Sequence, residues 1–184
     1  MRRRADAALN DERIVAAALF ELASNPAAAM DRLAEAAGVG RATLYRRFAT
    51  REDLLERLRE RARRDARRAI RAADPAGGPP AEALERVVTE LLPVADHYAF
   101  LAQMPARRRT LDPAVAKPIL ALIERGQRSG DFAREVPPAW WLAALRAHVG
   151  QAAQSVAGGM PAADAARLAT RALLGGLAGR ARRG

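Results

Sequence analysis

Of the 184 residues, 46 are alanine, whereas valine and isoleucine together supply only 13 and aromatic residues make up 4%. A pleated sheet covers its faces with β-branched and aromatic side chains, so this chain lacks the material for a large one. Its three commonest residues, Ala, Arg and Leu, are strong helix formers, as is Glu, and the expected fold is all-α. Hydrophobic residues reach 50% of the chain. Alanine is half of them, so helices must pack closely to make a core. The length allows one domain of ordinary size or two small ones that share elements. A β-sandwich, a collagen-like chain and a disordered chain of low hydrophobicity are excluded. Cysteine is absent, which removes disulfides, a thiolate nucleophile and Cys-ligated zinc and fits a reducing compartment. No run of 18 apolar residues spans a membrane. The opening Met-Arg-Arg-Arg has the charge of a signal-peptide start, but Asp11, Glu12 and Glu21 interrupt any apolar stretch behind it. The expected location is cytoplasmic.

The formal charge is +10, and of the 31 basic residues only Lys117 is not arginine. The guanidinium fork suits phosphate. Heavy Arg and Ala usage also arises in GC-rich genomes, so charge alone raises only the question of a nucleic-acid or membrane-surface partner.

Proline and glycine punctuate the helices. Asp74-Pro-Ala-Gly-Gly-Pro-Pro80 reads as a linker, and Gly158-Gly-Met-Pro161 as a helix end followed by a new start. Before the linker, four helices are expected: one from an Asp11 cap to about Ser24, one over about 30–37, one over about 40–48, and a long one opened by Thr50 with Glu52 and Asp53 behind it. After it come helices over about 80–102, kinked at Pro93, from Asp112-Pro113 to near Gly130, from Pro137-Pro138 to about Ala157, and from Pro161 to about Leu177.

The most informative stretch is Ala34-Glu-Ala-Ala-Gly38-Val39-Gly40-Arg41-Ala42-Thr43-Leu44-Tyr45-Arg46-Arg47-Phe48. It reads as a short helix, a tight turn at Gly38 and a second short helix. Leu33, Val39, Leu44 and Phe48 form a small core with the first helix. That leaves three arginines, a tyrosine and a threonine facing outward within seven residues, without an acid. Such a face suits a major groove, with Arg on guanine edges or phosphate, Ala on a thymine methyl, and Thr and Tyr hydroxyls on phosphate.

At Leu33, Ala34, Ala37, Gly38, Val39, Thr43, Leu44, Tyr45, Phe48 and Leu54 the chain resembles the TetR family of one-component transcriptional repressors. The resemblance covers about residues 11–60. Farther on it is carried by length, helix count and the stretch from Glu124 to Phe132. It implies a sequence-specific DNA-binding regulator that works as a homodimer on a palindromic double-stranded DNA operator and is released by a small apolar effector. It implies a helix-turn-helix domain with a basic N-terminal arm over residues 1–50 and a regulatory and dimerisation domain over 51–184. The expected DNA-binding residues are Arg41, Ala42, Thr43, Tyr45, Arg46, Arg47, Thr50 and Arg51. The chain departs from the family where Ala28 and Ala29 replace a hydroxyl residue at the start of the second helix, where Asp31-Arg32 inverts the usual order of charges, and where Gly40 replaces a Ser cap.

Other signals are weaker. Arg2-Arg3-Arg4 reads either as a minor-groove arm or as a solvated tail. Arg57, Arg61, Arg64 and Arg68, with acids at pairing distance, read as a solvated, ion-paired face. Arg107-Arg108-Arg109 reads as surface. His97, Phe100 and Met104 share one helical face, and Trp141, Leu145 and His148 another. Together they are the expected effector lining, with plain core packing as the alternative. No metal-ligand spacing, P-loop, dinucleotide fingerprint or catalytic set occurs, so no cofactor, metal or enzymatic activity is expected. Two other readings stay open: a helix-turn-helix protein that senses nothing, and a helical-bundle enzyme.

Overall fold

The computed structural model describes residues 2–104 and 111–177. Among them are nine helices, α1 (Arg2–Ser24), α2 (Met30–Ala36), α3 (Arg41–Arg47), α4 (Arg51–Ala73), α5 (Pro80–His97), α6 (Ala99–Gln103), α7 (Pro113–Ser129), α8 (Pro138–Ala157) and α9 (Ala162–Leu177), and no extended strand. They fall into two compact units, Met1–Ala62 with Phe100–Pro105, and Arg63–Ala99 with Ala106–Gly184. The division lies inside α4, and the sequence-based boundary at residue 50 marks the loop before that helix.

In the first unit, Ile14, Val15, Ala18, Leu19 and Leu22 of α1 are buried, with Leu33 and Ala34 of α2, Leu44 and Phe48 of α3 and its end, and Leu54, Leu55 and Leu58 of α4. Arg32 of α2 reaches Glu21 of α1 at 3.0 Å. Helix α1 starts at Arg2, nine residues before the expected cap. Its first turns are Arg- and Ala-rich, with no proline or glycine to stop them. Arg2, Arg3 and Arg4 are therefore helical rather than an extended arm, and Asp11 lies inside the helix, its carboxylate 3.4 Å from Arg47.

The core of the second unit is built from Ile70 and Ala73 of α4, Leu84, Val87, Val88 and Leu92 of α5, Ile119, Leu122 and Ile123 of α7, Trp141, Leu145 and Val149 of α8, and Ala165, Ala169 and Leu173 of α9. Phe132, in the α7–α8 loop, is fully buried, 4.8 Å from the Trp141 ring. It lies over Gly126 so closely that a Cβ there would overlap its ring. The helix expected over 80–102 is two helices. Pro93 is accommodated within α5, and the break comes at Tyr98, whose hydroxyl donates to Asp65 at 2.6 Å. Anchoring that buried side chain to α4 takes the backbone out of helical register. Arg107-Arg108-Arg109 lies outside the described residues, as does the side chain of Leu177.

Asp112 caps α7, as expected. Its Oδ1 accepts from the Ala114 amide at 2.9 Å, and its Oδ2 accepts from Arg67 at 2.6 Å. Burial pushes the Asp112 carboxyl up, but the Ala114 amide and the Arg67 guanidinium outweigh it and hold the carboxyl below its ordinary value. A carboxyl lowered in the folded state stabilises fully above the ordinary value of about 3.9, and this contribution is lost as pH falls through the folded value. Asp112→Ala should destabilise by about 1–2 kcal/mol at neutral pH, with the difference from wild type shrinking in acid. Gly126→Ala should cost about 1–3 kcal/mol at all pH values by overpacking the core. Both are read from urea unfolding followed through Trp140 and Trp141, which lie in the second unit.

Candidate nucleic-acid interface

Helix α2 ends in a Schellman turn. The Val39 amide donates to the Ala34 carbonyl at 3.0 Å, the Gly38 amide to Glu35 at 2.9 Å, and Gly38 takes φ 65°. That left-handed conformation is easy for glycine, and it lets α3 leave α2 at once. Within α3, Leu44 is fully buried, and Phe48, one turn on, is 7% exposed. Residues four apart share a helical face, so this pair fixes the inner side. Arg41, Ala42, Tyr45 and Arg46 are exposed, and Thr43 is half-buried.

The outward cations differ in their partners. Arg41 is paired with Asp31 at 2.9 Å, with 69% and 56% of the two side chains exposed, and its guanidinium stands 5.7 Å from the centre of the Tyr45 ring. Arg47 is held by Asp11. Arg46 has no ion pair among the described residues and is the cation best placed to meet an anion. Arg57 and Arg61 both approach Glu12, at 3.9 and 3.5 Å, and Arg59 pairs with Glu52 at 2.6 Å. Arg57 and Arg61 of the expected ion-paired face are thus paired, with an acid of α1.

Two more of the expected DNA contacts have internal partners. Thr50 and Asp53 make a reciprocal capping box: the Thr50 amide donates to Asp53 Oδ2 at 2.9 Å, and the Asp53 amide donates to Thr50 Oγ1 at 3.1 Å. Arg51 donates to the Pro26 carbonyl at 2.6 Å and to Ala28 at 3.4 Å, bracing the loop before α2. Their neighbours in the fold use these groups to position the reading helix. A carbonyl partner leaves no pattern in sequence, so these two bonds of Arg51 were not readable there. Asp31 was readable only as an inverted charge, not as the partner of Arg41.

The expected effector residues divide between the two units. Phe100 and Met104 are buried in the first unit, while His97, Trp141, Leu145 and His148 belong to the second. His97 is exposed, edge-on to Tyr98 at 4.9 Å. Trp141 and Leu145 are core, which is the bland alternative, and His148 donates through Nδ1 to the Ala144 carbonyl one turn back, at 2.7 Å. The fully buried indole Nε1 of Trp141 has no acceptor among the described residues. Among the described residues no group of acids and histidines is arranged to hold a metal, and no helix is long and apolar enough to cross a membrane.

A short helix fixed from within by two apolar residues, presenting Arg, Tyr and Arg, defines a helix-turn-helix DNA-binding protein. Residues 14–58 match the family described as bacterial regulatory proteins, tetR family. The chain is 34% identical over 131 residues to the HTH-type transcriptional repressor LfrR of Mycolicibacterium smegmatis, which covers 69% of this chain and 68% of LfrR. It is 30% identical over 138 residues to the HTH-type transcriptional regulator NfxB of Pseudomonas aeruginosa, covering 71% and 73%. The crystal structure of LfrR in complex with proflavine matches it with a TM-score of 0.74 at 30% identity, over 92% of this chain and 97% of that one. The chain belongs to the TetR family and is a DNA-binding transcriptional regulator, not an enzyme.

The Asp31–Arg41 pair is exposed enough to contribute at most about 1 kcal/mol. It does not lock Arg41, but it subtracts from any DNA contact that Arg41 makes. Asp31→Asn should tighten binding to duplexes of any sequence about three- to fivefold at low salt, with the gain fading as salt screens the charge. Gel-shift titrations at two ionic strengths read this, and equal affinities at low salt would remove Asp31 from the interface.

Proposed function

We propose that the protein binds a palindromic operator as a homodimer, each copy laying α3 in a major groove. The observation that carries this reading is the α3 face itself, with Leu44 and Phe48 inward and Arg41, Ala42, Tyr45 and Arg46 outward. Arg41 and Arg46 contact base edges or phosphate, Ala42 a thymine methyl, and Thr43, Tyr45 and Arg47 the backbone. Thr50 and Arg51 act through the position of α3 and α4. The protein works in the cytoplasm, where its DNA is.

The dimer forms through the outer faces of α8 and α9. Ala165, Ala169 and Leu173 of α9 are buried within the second unit's own core. Among the residues left outward are Trp140 of α8, 63% exposed, and Leu168 of α9, 53% exposed, together with Ala143 and Ala147 of α8 and Ala172 of α9. The small alanine side chains allow helices of two copies to approach closely.

A small apolar effector taken up by the second unit releases the operator. The buried indole Nε1 of Trp141, without an acceptor among the described residues, supports this, because a buried donor without a partner costs about 1–3 kcal/mol and a ligand acceptor would remove that cost. LfrR, the relative crystallised with proflavine, supports it too.

Selection from random duplexes should return an inverted repeat whose half-sites lie about one helical turn (~34–36 Å) or somewhat more apart. A pool without one would overturn the reading. On that operator, Arg41→Ala and Arg46→Ala should each cost about 1–3 kcal/mol, most at the base they contact, and Tyr45→Phe less. Apolar compounds, proflavine among them, should quench tryptophan emission and release the duplex together.

A further inference from the structure

The second unit carries an open cleft of about 430 Å3 between the C-terminal end of α4, the linker after it, and α7. None of its lining residues belongs to the effector set above. Its floor is apolar: Ile70 and Leu122 are nearly fully buried, and Pro75 and Pro118 flank them. One wall is the linker, and two arginines hold it in place. Arg86 donates to the carbonyls of Ala73, Asp74 and Gly77, and Arg125 to those of Pro75 and Gly78. Five charge-assisted bonds to carbonyls within residues 73–78 make this wall preformed rather than a collapsing loop.

The rim is positive. Arg71, in the last turn of α4, and Arg128, in the last turn of α7, line the cleft, and neither guanidinium has a partner among the described residues. The helix dipoles explain why cations sit in those turns, but not why an apolar cleft lies between them. The one acid in the lining is Asp74. Its φ is 43°, and its carboxylate lies against Gly77, where a Cβ would strike it. Three guanidinia against one carboxylate favour an anion, and a volume of this size falls within the range of about 300–1,000 Å3 for small-molecule sites.

We propose that this cleft is a binding site for a small carboxylate on an apolar aromatic or branched body. The hydrocarbon lies on Ile70, Leu122 and the two prolines. The carboxylate accepts hydrogen bonds from Arg71 and Arg128, whose planar forks suit it. Arg125 is engaged with the linker and contributes charge rather than direct contact.

The test is calorimetric titration of the full chain with 2-naphthoate, and with 2-naphthamide as its uncharged counterpart. It needs no DNA, so it stands or falls apart from the operator reading. Wild type should bind the carboxylate at least about tenfold more tightly than the amide, and the Arg71→Gln, Arg128→Gln double variant should lose about tenfold for the carboxylate alone. Ala121→Trp, an exposed helical position in the lining, should fill the cleft and abolish binding without removing a charge. Arg146→Gln, an exposed arginine on α8, should change nothing. Absence of binding at millimolar 2-naphthoate, equal binding of the amide, equal loss in Arg146→Gln, or unchanged binding in folded Ala121→Trp would each overturn the site.

Discussion

The contact on which much of this structure rests is a guanidinium on a backbone carbonyl. Arg51 holds the loop before α2, Arg86 and Arg125 hold the linker between α4 and α5, and Arg134 donates to Gln127 and Arg128 at the end of α7. The reason lies in the composition. Burying a methylene is worth about 0.8 kcal/mol and a whole Leu side chain about 1.5–3, so an alanine-rich core stabilises less per position. Loops rich in proline and glycine have few side chains to pack and few amides to donate, yet their carbonyls still need partners. A hydrogen bond to a charged donor contributes about 1.5–3 kcal/mol, and an arginine reaches a carbonyl from two turns away.

This divides the arginine content into parts that composition cannot separate. Some arginines clamp loops. Others, such as Arg57, Arg59, Arg61 and Arg68, balance acids on and around α4. Only Arg41, Arg46 and Arg47 stand on the reading helix, and of these Arg46 alone is without an acid partner among the described residues. The net charge of +10 describes the field that draws the molecule toward nucleic acid. The spacing of a few residues around Gly38 determines what that field presents.

The same distinction marks how far the sequence could be read. The α2–turn–α3 unit and the Thr50 cap were legible because their causes are local: a glycine at positive φ, apolar residues four apart, a hydroxyl three residues before a carboxylate. The early start of α1 was missed because Asp11 resembles a cap, although its partner is Arg47, 36 residues along the chain. The break at Tyr98 was missed because Pro93 was the visible irregularity and the bond to Asp65 was not. The stripe of Trp141, Leu145 and His148 is a face of α8, whereas the break at Tyr98 puts His97 and Phe100 on different helices and Met104 past the end of α6; even a true face does not declare whether it lines a cavity or a core. Trp141 and Leu145 proved to be core because Phe132, from a loop with no periodic signal, fills the space beside them.

Helix α4 is common to both units, and its 23 residues extend about 35 Å at 1.5 Å per residue. Its start is fixed by the Thr50–Asp53 box. Its second half is latched twice, by Asp65 to the hydroxyl of Tyr98 and by Arg67 to Asp112, each at 2.6 Å. These partners bracket residues 99–111, so the latches tie α4 to the chain on either side of that segment. An effector can alter DNA affinity only by preferring one of two arrangements. Each latch, a charge-assisted hydrogen bond, is worth about 1.5–3 kcal/mol, and allosteric couplings run to about 1–3 kcal/mol. A latch of this strength is of the same order as such a coupling, and the helix it holds is the one that begins at Arg51, four residues after the end of α3.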